Sequence, residues 1–298
     1  MPITKEMLAA RRGWVGASEL GALFGVDEYS SAWNVWAHKC GLIEDQPASE
    51  AADAGNMLEP ALIDVAERSL GPLDRNVTVP ADGLQLVSNL DARIRMTGHP
   101  VDAKTSGLYG PLSSEWGEAG TAEVPKRIIL QLHGQMLCTG ADAAYVQALL
   151  GGRGFVLFHV KRNESLIDLI AQRVDSFWRD NVLAKVPPED SEPTLEVIKH
   201  IRMQPGKVVV INQQLIEEWD QAKAAAAAAK ELQEACEVRV REALGDAEAG
   251  LIGTERVLTR PEIEVGEKIV KAYSYRRLST RKLRKGELDQ WQKLLPQS

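Results

Sequence analysis

The sequence predicts an α/β protein in which a mixed sheet lies between helices. Two observations carry that reading. Residues 1–186 alternate helix-period segments with short period-two segments, in the order helices, strands, helix, strands, helix. Beyond the acidic, proline-rich stretch Pro187–Thr194 the pattern changes to one long alanine-rich helix followed by short strands. The expected organisation is therefore a core over residues 1–186 and an extension over 187–298.

Taken in order, Lys5–Arg12 reads as a short helix ending at Gly13, and Ser18 as the N-cap of a second over Glu19–Phe24. Ser31 caps a third, Ala32–Cys40, which carries Trp33 and Trp36. A longer helix spans Asp53–Leu70, with Leu58, Leu62, Val65 and Ala66 on one face, and Gly71-Pro72 stops it. Leu84, Leu86 and Ser88 then alternate toward Asp91, and Val101–Lys104 forms a second strand after the turn at Gly98-His99-Pro100. Pro125 at the first helical position opens a helix to Thr139, closed by Gly140. Ala144–Leu149 and Phe155–Val160 make a hairpin around Gly151–Gly154, and a helix over Glu164–Leu183 closes the core. In the extension, Asn212–Leu244 is one helix containing the tract Ala224–Ala229, Gly245–Gly253 is turn, and Arg256–Thr259, Ile263–Val265 and Lys271–Leu278 are short strands.

Composition excludes several classes. With 44% hydrophobic and 26% charged residues the chain is too apolar to stay disordered, and its longest apolar runs are too short to span a bilayer. Residues 1–15 carry charge throughout and show no secretory pattern, so a cytoplasmic location is expected. Cys40, Cys138 and Cys236 form no CxxC pair and read as reduced thiols. The net charge of −7 argues against a passive coat on nucleic acid, yet a local positive groove suffices for an enzyme that acts on it.

The chemistry gathers at Asp91 and Asp102-Ala103-Lys104. On a hairpin, an acid on one strand and two same-face residues on the next converge on one point. Asp91, Asp102 and the Ala103 carbonyl can offer hard oxygen ligands to Mg²⁺, and Lys104 can orient or help deprotonate a water, or stabilise developing charge. Glu59, in Leu58-Glu59-Pro60, is a candidate extra ligand. An isolated Asp…Asp-x-Lys pattern is weak, since surface ion pairs produce it often.

A longer ordered series surrounds it: Gly16-Ala17-Ser18-Glu19, Trp33/Trp36 with Lys39-Cys40-Gly41-Leu42, Gly55…Leu58-Glu59-Pro60, Asp91, Asp102-x-Lys104, Pro125…Gln131…Gln135-Met136…Thr139-Gly140, and Phe177-Trp178. This series resembles the lambda-exonuclease-like, YqaJ-type viral recombinase family of PD-(D/E)xK nucleases, over about residues 11–180. The resemblance implies a restriction-endonuclease-like core. It further implies a Mg²⁺-dependent exodeoxyribonuclease (Mn²⁺ substituting, two ions) that resects linear double-stranded DNA 5′ to 3′ in phage-type recombination. Glu59, Asp91 and Asp102 match the family's metal-binding acids, Lys104 its catalytic lysine, and Gln131 an active-site glutamine. Arg11 and Ser18 match residues used around a terminal 5′-phosphate. Also implied are double-stranded DNA ends and a single-strand annealing protein as partners, a homotrimer, no membrane, and the cytoplasm of a bacterial host for a phage or prophage product. Alternatives are a nicking or structure-selective endonuclease of the same fold, and a DNA-end-binding module that has lost catalysis. The sequence departs from the family where Asp102 replaces the usual Glu and Leu90 the usual Pro; the shorter acid must bring metal and lysine closer or use a water bridge.

Other residues have plainer readings. The Trp33/Trp36 pair reads as core packing rather than base stacking, and His99 and His133 as structural. Gly151–Gly154 is a hairpin turn, and the basic run Arg276–Lys285 a solvated strand and helix end.

Overall fold

A computed structural model describes residues 12–43, 49–107, 114–193, 195–202, 204–252 and 256–259. The chain divides into two compact units, Met1–Met203 and Gln204–Ser298. The expected helix at Lys5–Arg12, the strands at Ile263–Val265 and Lys271–Leu278, and the basic run Arg276–Lys285 lie outside the described residues, as does Arg11.

The first unit is a mixed sheet flanked by helices. It begins with β1 (Val15–Gly16), a 3-10 turn (Ala17–Glu19) and α1 (Leu20–Leu23), followed by α2 (Ala32–Lys39) and α3 (Glu50–Leu70). Then come β2 (Leu73–Pro80), β3 (Leu86–Ile94), β4 (Pro100–Ser106), α4 (Lys126–Thr139), β5 (Ala143–Leu150), β6 (Gly154–Lys161) and α5 (Glu164–Ser176). After α5 the backbone widens into a π-helical stretch, Phe177–Leu183, and α6 (Leu195–Ile198) follows. The described elements of the second unit are α7 (Gln213–Leu244), with no buried residue, and the antiparallel pair β7 (Ala249–Ile252) and β8 (Arg256–Thr259).

Local chemistry explains most boundaries. Ser49 Oγ accepts from Ala52 N at 3.2 Å, which starts α3 three residues earlier than its apolar periodicity suggests. Gly140, at φ 71°, ends α4 in the left-handed conformation that glycine adopts at least cost. Three expectations are corrected. Ser18 caps nothing; it sits inside the first 3-10 turn, where Gly16 N donates to Glu19 Oε2 at 2.7 Å. Pro125 is the N-cap of α4 rather than its first residue. β1, β2, α6 and β7 are additional to the expected elements, and β7 lies inside the stretch expected to be a turn.

The topology places the site. β3 is flanked along its length by antiparallel β2. Its other edge is shared, with parallel β1 pairing at Leu86 and Val87 and antiparallel β4 pairing at Ala92 and Arg93. Between these contacts β3 and β4 part, so the sheet forks just where Asp91 would face Asp102. On the β2 side the ladder skips the same level: Asn76, opposite Asp91 in register, has φ 53°, a conformation Asn tolerates better than most residues.

β4 runs parallel to β5 through α4, the crossover helix of a βαβ unit. Ile128, Leu132 and Met136 of α4 pack on Ala144, Val146, Ala148 and Leu150. The opposite face carries Ile63 and Ala66 of α3 against Leu73, Ala92, Ile94 and Val101. A third cluster joins α1, α2 and Phe177, where Trp33 and Trp36 meet edge to face at 5.5 Å and Trp36 Nε1 donates to Asn181 O. The tryptophans are core residues here. Among the described residues no helix is long and apolar enough to cross a membrane.

Candidate active site at the sheet fork

Period-two alternation in β4 turns Val101 and Ala103 toward α3 and Asp102 toward α4. At the fork Asp91 Oδ2 accepts the backbone N–H of Ala103 at 2.8 Å, taking the place of the ladder bond that the separated strand cannot make. Asp102 is 1% exposed. Gln131 Nε2 and Gln135 Nε2, one helical turn apart on α4, both donate to its Oδ1, at 2.8 and 2.9 Å. Lys104 Nζ lies 2.5 Å from Asp102 Oδ2, an ion pair whose direction leaves Oδ2 without a well-aligned hydrogen bond.

The charges are unbalanced. Burial, with the negative charge of Asp102 adding to it, raises the Asp91 carboxyl to about 7; Lys104 and the Ala103 N–H oppose the shift, and Glu59 adds to it. For Lys104, burial pulls the ammonium pKa down, but the charges of Asp102 and Asp91 outweigh it and hold the pKa above its ordinary value. Lys104 is thus a cation at neutral pH, suited to stabilising negative charge rather than to removing a proton.

A cleft of about 220 Å³ opens beside these groups, lined by Trp14, Ser18, Asn89, Asp91, Gln131 and Gln135 among others. Ser18, exposed on its 3-10 turn, therefore stands at the same cleft as Asp91. Behind it Lys39, 7% exposed, pairs with Glu19 at 2.7 Å. Asp91, Asp102, Lys104 and Gln131 are brought together as the sequence suggests, and Gln131 bonds a carboxylate rather than a backbone group. Glu59 acts on Asp91 through its charge, but among the described residues no group of three or more His, Cys, Asp or Glu side chains stands close enough together to hold a metal. His133 Nδ1 donates to Ile129 O and its Nε2 accepts from Asn163 N, and His99 contacts Asp142; neither serves the cleft. The contact of Gln135 with Asp102 went unassigned in the sequence, although its i, i+4 relation to Gln131 is visible there.

The donor set suits a hard divalent cation. Two carboxylates and the Ala103 carbonyl could offer hard oxygen atoms, and a buried carboxyl whose ionisation is opposed by a neighbouring carboxylate would be relieved by a bound positive charge.

The chain is similar to several known proteins. YqaJ of Bacillus subtilis (strain 168), an uncharacterised protein, is 26% identical over 275 residues, covering 87% of this chain and 83% of that protein. Among solved structures, an alkaline exonuclease from Laribacter hongkongensis is similar at 17% identity and a TM-score of 0.48, over 61% of this chain and 94% of that one. A phage-related exonuclease from Haemophilus somnus 129PT is similar at 16% identity and a TM-score of 0.44, over 60% and 99%. Residues 6–142 match the family model of the YqaJ-like viral recombinase domain, which supports a recombination nuclease. That stretch contains Glu59, the fork and both glutamines, and it is similar to the YqaJ-type viral recombinase domain.

Proposed function

We propose that this chain is a Mg²⁺-dependent exodeoxyribonuclease that acts on the ends of linear double-stranded DNA, resecting 5′ to 3′ in recombination. The observation that carries the reading is the pairing, at the sheet fork, of two carboxylates with a lysine held positive. Asp91, Asp102 and the Ala103 carbonyl would hold the cation, with Glu59 acting from α3. Two bound ions would supply Lewis-acid activation of a water and neutralisation of the scissile phosphate. Lys104, protonated, stabilises the negative charge that develops on the phosphate oxygens as water adds and the 3′ oxygen departs. Gln131 holds Asp102 in place. Ser18, at the far side of the cleft, offers a hydroxyl to the terminal 5′-phosphate, a role in which Arg11 joins it. The remaining 3′ overhang would pass to a single-strand annealing protein, and a homotrimer around the duplex would account for processive digestion.

The experiment is digestion of linear duplex with and without Mg²⁺, comparing 5′-phosphate ends, 5′-hydroxyl ends and closed circles. Linear DNA with 5′-phosphates is expected to be cut fastest and circles not at all. Lys104→Ala should lower the rate by at least about a hundredfold while DNA binding persists, the scale of losing one charge-stabilising donor. Equal cutting of circles would replace the exonuclease with an endonuclease of the same fold, and binding without any cleavage would leave an end-binding module.

A further inference from the structure

Gln135 is a large polar side chain in the interior of α4, 1% exposed, with the buried Leu132, Gly134 and Met136 on the same helix. An apolar residue of that volume would satisfy packing alone, and burying an amide carries a desolvation cost. Its Nε2 meets Asp102 Oδ1 at 2.9 Å, beside that of Gln131 at 2.8 Å. The orientation is forced, because turning the amide would set its oxygen against a carboxylate oxygen. Three donors from two elements thus converge on one short acid: two amides on Oδ1 and the Lys104 ammonium at Oδ2.

We propose that Gln135 is a positioning residue which, with Gln131, anchors Asp102 Oδ1 to α4 and so aims Oδ2 at the cation and at Lys104. The inference rests on the metal-nuclease reading above. An aspartate has one rotatable bond fewer than a glutamate and a shorter reach, so its usefulness as a ligand depends on a fixed carboxylate plane. With Gln135 removed, the carboxylate is free to rotate onto the lysine, pairing both oxygens with Nζ and withdrawing from the cation.

The test is Mn²⁺ affinity measured by electron paramagnetic resonance of the full chain without DNA, alongside steady-state cleavage. Gln135→Met, similar in volume, is expected to weaken Mn²⁺ by about tenfold or more, the range seen when a ligand's hydrogen-bond partner is lost. Under saturating metal, kcat should fall with KM for DNA unchanged. Should the Met variant not fold, Gln135→Asn keeps the polarity but withdraws the amide from Oδ1, and should show the same loss. A folded Gln135→Met or Gln135→Asn protein with wild-type Mn²⁺ affinity overturns the inference while leaving the nuclease intact. Wild-type protein that neither binds Mn²⁺ nor cuts DNA overturns the nuclease reading and this inference with it.

Discussion

At Asp91 the cost of the site falls on a single carboxyl. Its pKa of about 7 lies well above the ordinary aspartate value near 4, so the unfolded chain releases this proton at lower pH than the folded one. Stability contributed here is therefore lost as pH rises from about 4 to about 7 and stays lost above it, roughly 4 kcal/mol at most. Asp91→Asn keeps an oxygen for the Ala103 N–H and removes the charge. Without metal it should melt higher than wild type, with the gain larger at about pH 8 than at about pH 5, and it should not cut DNA. Thermal melts in chelator at the two pH values check the first claim; an equal gain at both would show that charge is not the cause. Of the expected residues, Asp91, Asp102 and Lys104 were legible because strand alternation fixes which side chains share a face. Glu59 was legible only through its motif, since no periodicity says how far a helix stands from a strand.

The close approach of α4 to the 3-10 turn is set by Gly134. A Cβ there would meet Leu20 Cδ1 at 2.4 Å and Ala17 Cβ at 3.1 Å. Glycine within a helix costs about 1 kcal/mol relative to alanine, so its presence points to the contact rather than to the helix. The contact holds Ser18 across the cleft from Gln131. Gly134→Val should destabilise by about 2–3 kcal/mol through overpacking, and the surviving folded protein should lose its preference for 5′-phosphate ends more than its rate on 5′-hydroxyl ends. Calorimetry and end-labelled substrates measure the two effects. Other elements were less open to reading. Only Leu73 of β2 is buried, and its alternation is confined to Val77-Thr78-Val79 between the polar run Asp74-Arg75-Asn76 and Pro80, too short to mark a strand. The longer helices and the β5–β6 hairpin carry periodic apolar faces and glycine stops and lie within a few residues of their expected bounds, except that α5 gives way at Phe177 to the π-helical stretch and the short α6 has no such signal. The fork itself has no sequence signature, because divergence of two strands is a backbone property that period-two patterning does not encode.

For the molecule as a whole, the proposed cation and protons would compete for the same carboxyl. A cation that binds only the folded chain raises stability by mass action, and at the proposed site it would first have to displace the proton held by Asp91. Saturating Mg²⁺ should therefore raise Tm more at about pH 8 than at about pH 6, and chelation should reverse the gain at both. A Tm gain independent of pH across that window would place the ion away from Asp91. The division at Met203 was not apparent from composition, because residues 189–193 look like an exposed linker yet bond the first unit: Ser31 Oγ donates to Glu192 O, Trp33 N to Ser191 Oγ, and Arg173 pairs with Asp190. The long helix α7 was read correctly from its alanine tract, which has high propensity and needs no partner surface to be recognised.

The bond from the Ala103 amide to Asp91 has a spectroscopic consequence. In an intact ladder that N–H would face a neutral carbonyl and would be indifferent to pH. Here its acceptor is a carboxylate that gains and loses a proton near neutrality, so one backbone nitrogen reports the ionisation of the site. Its resonance in a nitrogen–proton correlation spectrum would trace the protonation of Asp91 directly, with no substrate present and no side chain altered.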